Sequence, residues 1–202
     1  MSNLSPALIL LAAGDSSRMG SPKALLDWYG KPLIRHILDT AVTGGCKKLI
    51  VVLGRDAELI RTKVDLSDAA IVINSNVENG QVSSLQLGFK VLDFSTDCAL
   101  CWPVDCPLVQ PADVSTLIDA YCRFRNSRQR VFIPIHNNER GHPMLVDSCM
   151  REDFINLEAG KTARDLIVKF ASFVTEVQVK NAGILTDVDT PAQYNKALKV
   201  RQ

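Results

Sequence analysis

A chain of 202 residues with 47% hydrophobic and 22% charged side chains is long enough to close a sizeable core and has no bias toward disorder. Its formal net charge is +1 and its basic residues are scattered, which argues against a nucleic-acid or membrane surface and leaves small polyanions as the expected partners. One α/β domain spanning residues 1–202 is the expectation.

The first apolar run, Ala7 to Ala13, reads as a buried strand. It has no basic leader and falls far short of the about 20 apolar residues a membrane-crossing helix needs, so a cytoplasmic protein starting near Met1 is expected. A loop from Gly14 to Lys23 follows, and Pro32 opens a helix to about Thr43, with Leu33, Ile37, Leu38 and Ala41 on one face. Leu49 to Leu53 and Ala70 to Asn74 read as two more buried strands around a short helix at Ala57 to Val64. Val82 to Val91 is helical in pattern, Cys98 to Trp102 is a strand, and Pro111 opens a helix through Tyr121.

Past Arg123, the runs Val131 to Ile135 and Pro143 to Val146, joined by a polar turn at Asn137 to Arg140, suit an antiparallel insertion beside the main sheet. Thr162 to Phe170 reads as helix, Val174 to Val179 as strand, and Pro191 to Val200 as a helix capped by Thr190. Alternation of this kind is the mark of βαβ units, hence a Rossmann-like three-layer α/β sandwich with a mostly parallel sheet. The six cysteines sit mostly in apolar runs and are expected as reduced thiols. Cys98 and Cys101 form a C-x-x-C, but residues three apart on a strand point to opposite faces and do not share a ligand.

The chemistry concentrates in three places. Leu11 to Lys23, L-A-A-G-D-S-S-R-M-G-S-P-K, follows the first strand, and its small Ala12, Ala13 and Gly14 leave backbone amides open to close approach by a ligand. It lacks the G-K-[ST] ending of a Walker A loop and one glycine of the dinucleotide fingerprint. What remains is a glycine-bounded loop carrying Arg18 and Lys23, two cations suited to a triphosphate and its leaving pyrophosphate, at a strand end where open α/β sheets bind ligands. Solvated surface charge is the plainer reading of such a loop taken alone. In P-V-D-C-P-L, Asp105 stands between two prolines and is presented rigidly, as a magnesium ligand or as a turn residue. In T-D-V-D-T-P, Asp187 and Asp189 flank a single valine near the C-terminal end, and one of them is expected to face a shared site. Two carboxylates with substrate phosphates make a typical magnesium set.

With these residues in place, the chain resembles the molybdopterin nucleotidyltransferase-like family and, within it, the molybdenum cofactor cytidylyltransferases. The resemblance spans nearly the whole chain and rests on Leu11 to Lys23, L-L-D-W-Y-G-K-P-L at Leu25 to Leu33, N-G-Q-V-S-S-L-Q-L-G at Asn79 to Gly88, P-V-D-C-P-L, G-H-P at Gly141 to Pro143, and D-V-D-T-P. It implies a fold of the nucleotide-diphospho-sugar transferase type. It also implies that Leu11, Ala12, Ala13 and Gly14 lie against a nucleotide, that Arg18 and Lys23 sit on its phosphates, and that Gly80 and Ser84 line the base. Asp105 and Asp189 would hold Mg2+, and His142 would lie toward the acceptor, a structural turn being its other reading. A-A-G and P-K, where the guanylyltransferase branch has A-G-G and D-K, favour CTP over GTP.

The implied reaction moves a nucleoside monophosphate from a nucleoside triphosphate to a phosphorylated acceptor, molybdopterin, and releases pyrophosphate. A molybdoenzyme or cofactor-delivery protein is the implied partner. A guanylyltransferase, a sugar-phosphate nucleotidyltransferase and a non-catalytic nucleotide-binding accessory protein remain as alternatives.

Overall fold

The computed structural model describes residues 4–158 and 160–200. In chain order, β1 (Pro6–Ala12) leads to α1 (Leu33–Thr43), β2 (Lys48–Leu53), α2 (Ala57–Lys63) and β3 (Ala70–Ile73). Then come α3 (Gln81–Lys90), β4 (Cys98–Pro103), α4 (Pro111–Phe124), β5 (Val131–His136), β6 (Glu139–Arg140) and β7 (Met144–Asp147). The chain closes with α5 (Arg151–Ile155), α6 (Ala163–Lys169), β8 (Val174–Gln178) and α7 (Pro191–Val200).

The eight strands of the described residues share one sheet of order β3-β2-β1-β4-β7-β5-β6, with β8 paired to β5. The β3-β2-β1-β4 half is parallel, β7 runs antiparallel to both β4 and β5, and β8 is parallel to β5. The antiparallel segment expected beside the main sheet is therefore built into it, because β7 inserts between β4 and β5. β4 pairs with β7 from Met144 to Asp147, whereas β5 pairs with it only at Leu145 and Val146.

β1 reads PALILLA and is buried throughout because both its faces are covered. Leu8, Leu10 and Ala12 pack with Leu33, Ile37 and Leu38 of α1, Ile60 of α2, Leu117 of α4 and Ala197 of α7. Ala7, Ile9 and Leu11 pack on the other side with Leu85 and Phe89 of α3, Phe154 of α5 and Leu166 of α6. Phe89 and Phe154 stack with ring centroids 4.5 Å apart. Each such fully buried Leu or Phe contributes about 1.5–3 kcal/mol of transfer free energy. These layers make the three-layer α/β fold, and strand alternation sends Cys98 and Cys101 into opposite cores.

Two local readings shift, and one element is new. β3 is half exposed rather than buried, since it is the sheet edge. Pro32 is the N-cap residue of α1, and the helix proper begins at Leu33. α5 has five residues, too few for a helical period to register in sequence.

The topology also locates the site. From β1 the chain moves outward through β2 and β3, then returns to place β4 on the other flank of β1. Strand order reverses between β1 and β4, and a crevice opens at their carboxyl ends, the position where open α/β sheets bind ligands.

Candidate active site

The loop after β1 and the turn after β4 are held together before any side chain is considered. Leu11 pairs with Pro103 in the sheet, and the Val104 N–H donates to the Leu11 carbonyl at 3.0 Å. Gly54, after β2, lies so close that a Cβ there would sit 2.5 Å from the Ala13 carbonyl oxygen, so only glycine lets this strand end approach the loop. Beyond Gly14, Ser16 organises the loop: its carbonyl accepts from Met19 and Gly20, and its Oγ accepts from the Lys23 N–H at 3.0 Å.

The result is a cavity of ≈ 260 Å³. Leu11, Ala12, Ala13, Gly14, Lys23 and Asp105 line it on the strand-end side, and Gly80 and Ser84 line it from the start of α3. Ser84 is buried, and its Oγ accepts from Asn74 Nδ2 at 2.9 Å.

At the mouth of the crevice three of the sequence-derived residues converge on one point. Lys23 Nζ lies 3.1 Å from Asp105 Oδ2 and 2.5 Å from Asp189 Oδ1. Arg18 Nη2 lies 3.1 Å from Asp189 Oδ2, with its side chain 70% exposed and outside the cavity lining, whereas that of Lys23 is only 12% exposed. Burial is the largest single influence on Lys23 and opposes its charge, but the hydrogen bonds and charges of Asp189 and Asp105 together hold its pKa above the ordinary 10.5. The bond from Lys23, followed by the charges of Lys23 and Arg18, holds Asp189 below the ordinary carboxylate value despite partial burial.

Backbone bonds fix both carboxylates. Trp102 Nε1 donates to the Cys106 carbonyl at 3.0 Å, and the Val188 N–H donates to the Asp105 carbonyl at 2.8 Å, tying the D-V-D segment onto the P-V-D-C-P-L turn. Thr190 caps α7 by accepting from the Gln193 N–H at 3.3 Å, and the Gln193 side chain in turn accepts from the Asp189 N–H at 3.0 Å. Asp189 thus faces Lys23, while Asp187 turns to Cys106, whose thiol donates to Asp187 Oδ1 at 3.2 Å.

His142 lines a second cavity of ≈ 720 Å³, together with Arg140, Arg164, Ile133, Met144 and Ile167. Leu11, Gln81 and Pro103 belong to both cavities, so the two share a wall. Sequence reasoning did not single out Ser16, Asn74 or Gln81. Asn74 binds both Ser83 and Ser84 and braces the start of α3. The N-S-N run at Asn74 to Asn76, polar residues directly after an apolar strand, was the available signal.

Residues 8–173 match the family model described as the MobA-like NTP transferase domain. The chain belongs to the MobA-like NTP transferase family. The match takes in Arg18, Lys23, Asp105 and His142 and ends before Asp189. This family member is 28% identical over 192 residues to the molybdenum cofactor cytidylyltransferase of Escherichia coli K12, covering 92% of each chain. It is 26% identical over 194 residues to nicotine blue oxidoreductase of Paenarthrobacter nicotinovorans, covering 94% of this chain and 95% of that one. The crystal structure of Rv0371c from Mycobacterium tuberculosis H37Rv superimposes with a TM-score of 0.86 at 26% identity, over 98% of this chain and all of that one. A second crystal structure of Rv0371c, in complex with manganese, gives 0.81 at 23% identity over 96% and 98%. Membership makes the fold and the nucleotidyltransferase type plain, and the relatives' names span more than one chemistry.

Proposed function

We propose that this nucleotidyltransferase moves a cytidylyl group from CTP to the terminal phosphate of molybdopterin and releases pyrophosphate. The observation that supports the reading best is the convergence of Lys23, Asp105 and Asp189 at the β1/β4 switch point, beside a cavity walled by the Leu11 to Gly14 backbone. The A-A-G and P-K signature favours CTP, and the whole-length similarity to a molybdenum cofactor cytidylyltransferase favours the acceptor.

Asp105 and Asp189, two partly exposed carboxylates bridged by the Lys23 ammonium, are hard oxygen donors of the kind a cation of the magnesium class takes. These two residues would hold Mg2+, which compensates charge on the phosphates when bound. That reading agrees with the manganese found with Rv0371c.

The chain's own part in the reaction is positional and electrostatic. Ala12, Ala13 and Gly14 let backbone amides approach the triphosphate, and Gly80 and Ser84 wall the base side. Lys23, kept fully charged by its two aspartates, stabilises the charge that grows on the α-phosphate and the leaving pyrophosphate, with Arg18 at the outer edge. No protein nucleophile is needed, because an acceptor phosphate with a second pKa of about 6 is already ionised at neutral pH. His142 faces the adjoining cavity, where the acceptor would enter past Gln81.

The test is pyrophosphate release with Mg2+ and each of CTP, GTP, ATP and UTP, with and without molybdopterin. Release that needs both CTP and molybdopterin is expected. Release with GTP instead moves the protein to the guanylyl branch. Nucleotide binding without release for any pair overturns the catalytic reading in favour of an accessory protein.

A further inference from the structure

Beside Asp105 in the P-V-D-C-P-L turn, three potential metal ligands from three separate segments meet. Cys106 Sγ, a ring nitrogen of His142 and a carboxylate oxygen of Asp187 all lie within 4.8 Å of one another. Cys106 Sγ is 3.2 Å from Asp187 Oδ1 and 3.6 Å from Asp105 Oδ1. None of the three ligands has a part in the nucleotidyl-transfer chemistry argued above, apart from the cavity that His142 faces.

Each is set by its backbone. The Cys106 N–H donates to the Pro103 carbonyl at 3.2 Å, and its own carbonyl accepts from Trp102. The His142 N–H donates to the Ile184 carbonyl at 2.9 Å, an approach possible because Gly141 has no Cβ, which would fall 2.4 Å from that same oxygen. Val188, bonded to Asp105, carries Asp187 into the cluster.

The burial is graded: Cys106 is fully buried, His142 half-buried and Asp187 the outermost. His142 Nδ1 is buried with no hydrogen-bond partner among the described residues, a condition that a bound water or cation relieves.

We propose that Cys106, His142 and Asp187 form a binding site for a borderline divalent cation of the zinc class, separate from the hard carboxylate pair of Asp105 and Asp189. A thiol, an imidazole and one carboxylate select zinc-like ions over magnesium, whereas two carboxylates alone do the reverse. Tetrahedral coordination at about 2.0–2.3 Å puts ligand atoms roughly 3.3–3.8 Å apart, so the cluster closes on a cation by modest side-chain rotation. Three protein ligands leave a fourth position, on the side of the cavity that His142 lines. That position suits a sulfur or oxyanion donor from a molecule entering there.

The experiment titrates Co2+ into the full-length, chelator-treated protein in excess Mg2+ and follows the thiolate-to-cobalt charge-transfer absorption. One equivalent is expected to saturate the band, and one equivalent of Zn2+ to bleach it. Cys106→Ala should abolish the band with the circular dichroism unchanged, and His142→Gln and Asp187→Asn should each weaken binding by about tenfold or more. If Cys106→Ala fails to fold, the other two variants decide. Absence of the band in the wild type overturns the proposal, as does a band that survives Cys106→Ala or an affinity unchanged in both polar variants. The readout requires no turnover, so it stands or falls apart from the cytidylyltransferase reading.

Discussion

At the residue scale, Lys23 is the side chain on which the account turns, because it touches both carboxylates and faces the cavity. Losing one preorganised cationic donor of this kind costs about 10²- to 10³-fold in rate. Lys23→Ala is expected to lower turnover on that scale in steady-state pyrophosphate release, while near wild-type turnover removes Lys23 from the chemistry. Asp189 also contributes to stability through the same bond. Its pKa is lower folded than unfolded, so its contribution is present above the ordinary carboxylate value of 3.8 and is lost as pH falls through the lower folded value. Asp189→Asn should therefore be less stable than wild type at pH 7 by about 1–2 kcal/mol, with the gap closing toward strongly acid pH. Thermal unfolding of both proteins across pH checks this, and a gap that widens on acidification contradicts it. The sequence marked every residue of this cluster but not its pairing. Lys23 reaches partners 82 and 166 positions away, and no local pattern encodes which charges meet across such a span.

At the scale of elements, the parallel half of the sheet was legible because each strand there is short, apolar and followed by a helix of clear period. The antiparallel half was legible as an antiparallel insertion, but not by its place in the sheet. The place of β7 between β4 and β5 is set by pairing across the sheet, which four residues of apolar sequence do not specify. The second cavity stayed hidden for the same reason, since its wall combines β5, β7 and α6 with the end of β1. The close approach of β2's end to the loop after β1 gives an element-level test. Gly54→Ala puts a Cβ against the Ala13 backbone, and such overpacking costs typically about 1–3 kcal/mol. The expected outcome is a lower Tm together with a raised KM for the triphosphate, because the displaced atoms belong to the proposed nucleotide wall. A lower Tm with unchanged KM would separate Ala13 from nucleotide binding.

At the scale of the whole molecule, two packed faces around β1 hold the β1 loop, the β4 turn and the D-V-D segment in one crevice, and ligands binding only the folded state stabilise it by mass action. Mg2+ with CTP at 100 times its Kd should add about 2.7 kcal/mol, read as a rise in Tm that Asp105→Ala diminishes. An equal rise in that variant removes Asp105 from the proposed nucleotide–metal site. Among the described residues, no helix is long and apolar enough to cross a membrane. The central claim is that the crevice directs attack on the α-phosphorus of a triphosphate. The direct measurement supplies CTP radiolabelled at either the α- or the γ-phosphorus, with Mg2+ and molybdopterin, and follows where each label goes. The α label is expected to pass to the acceptor and the γ label to leave in pyrophosphate. Transfer of the γ label to the acceptor, or its release as inorganic phosphate, would contradict it.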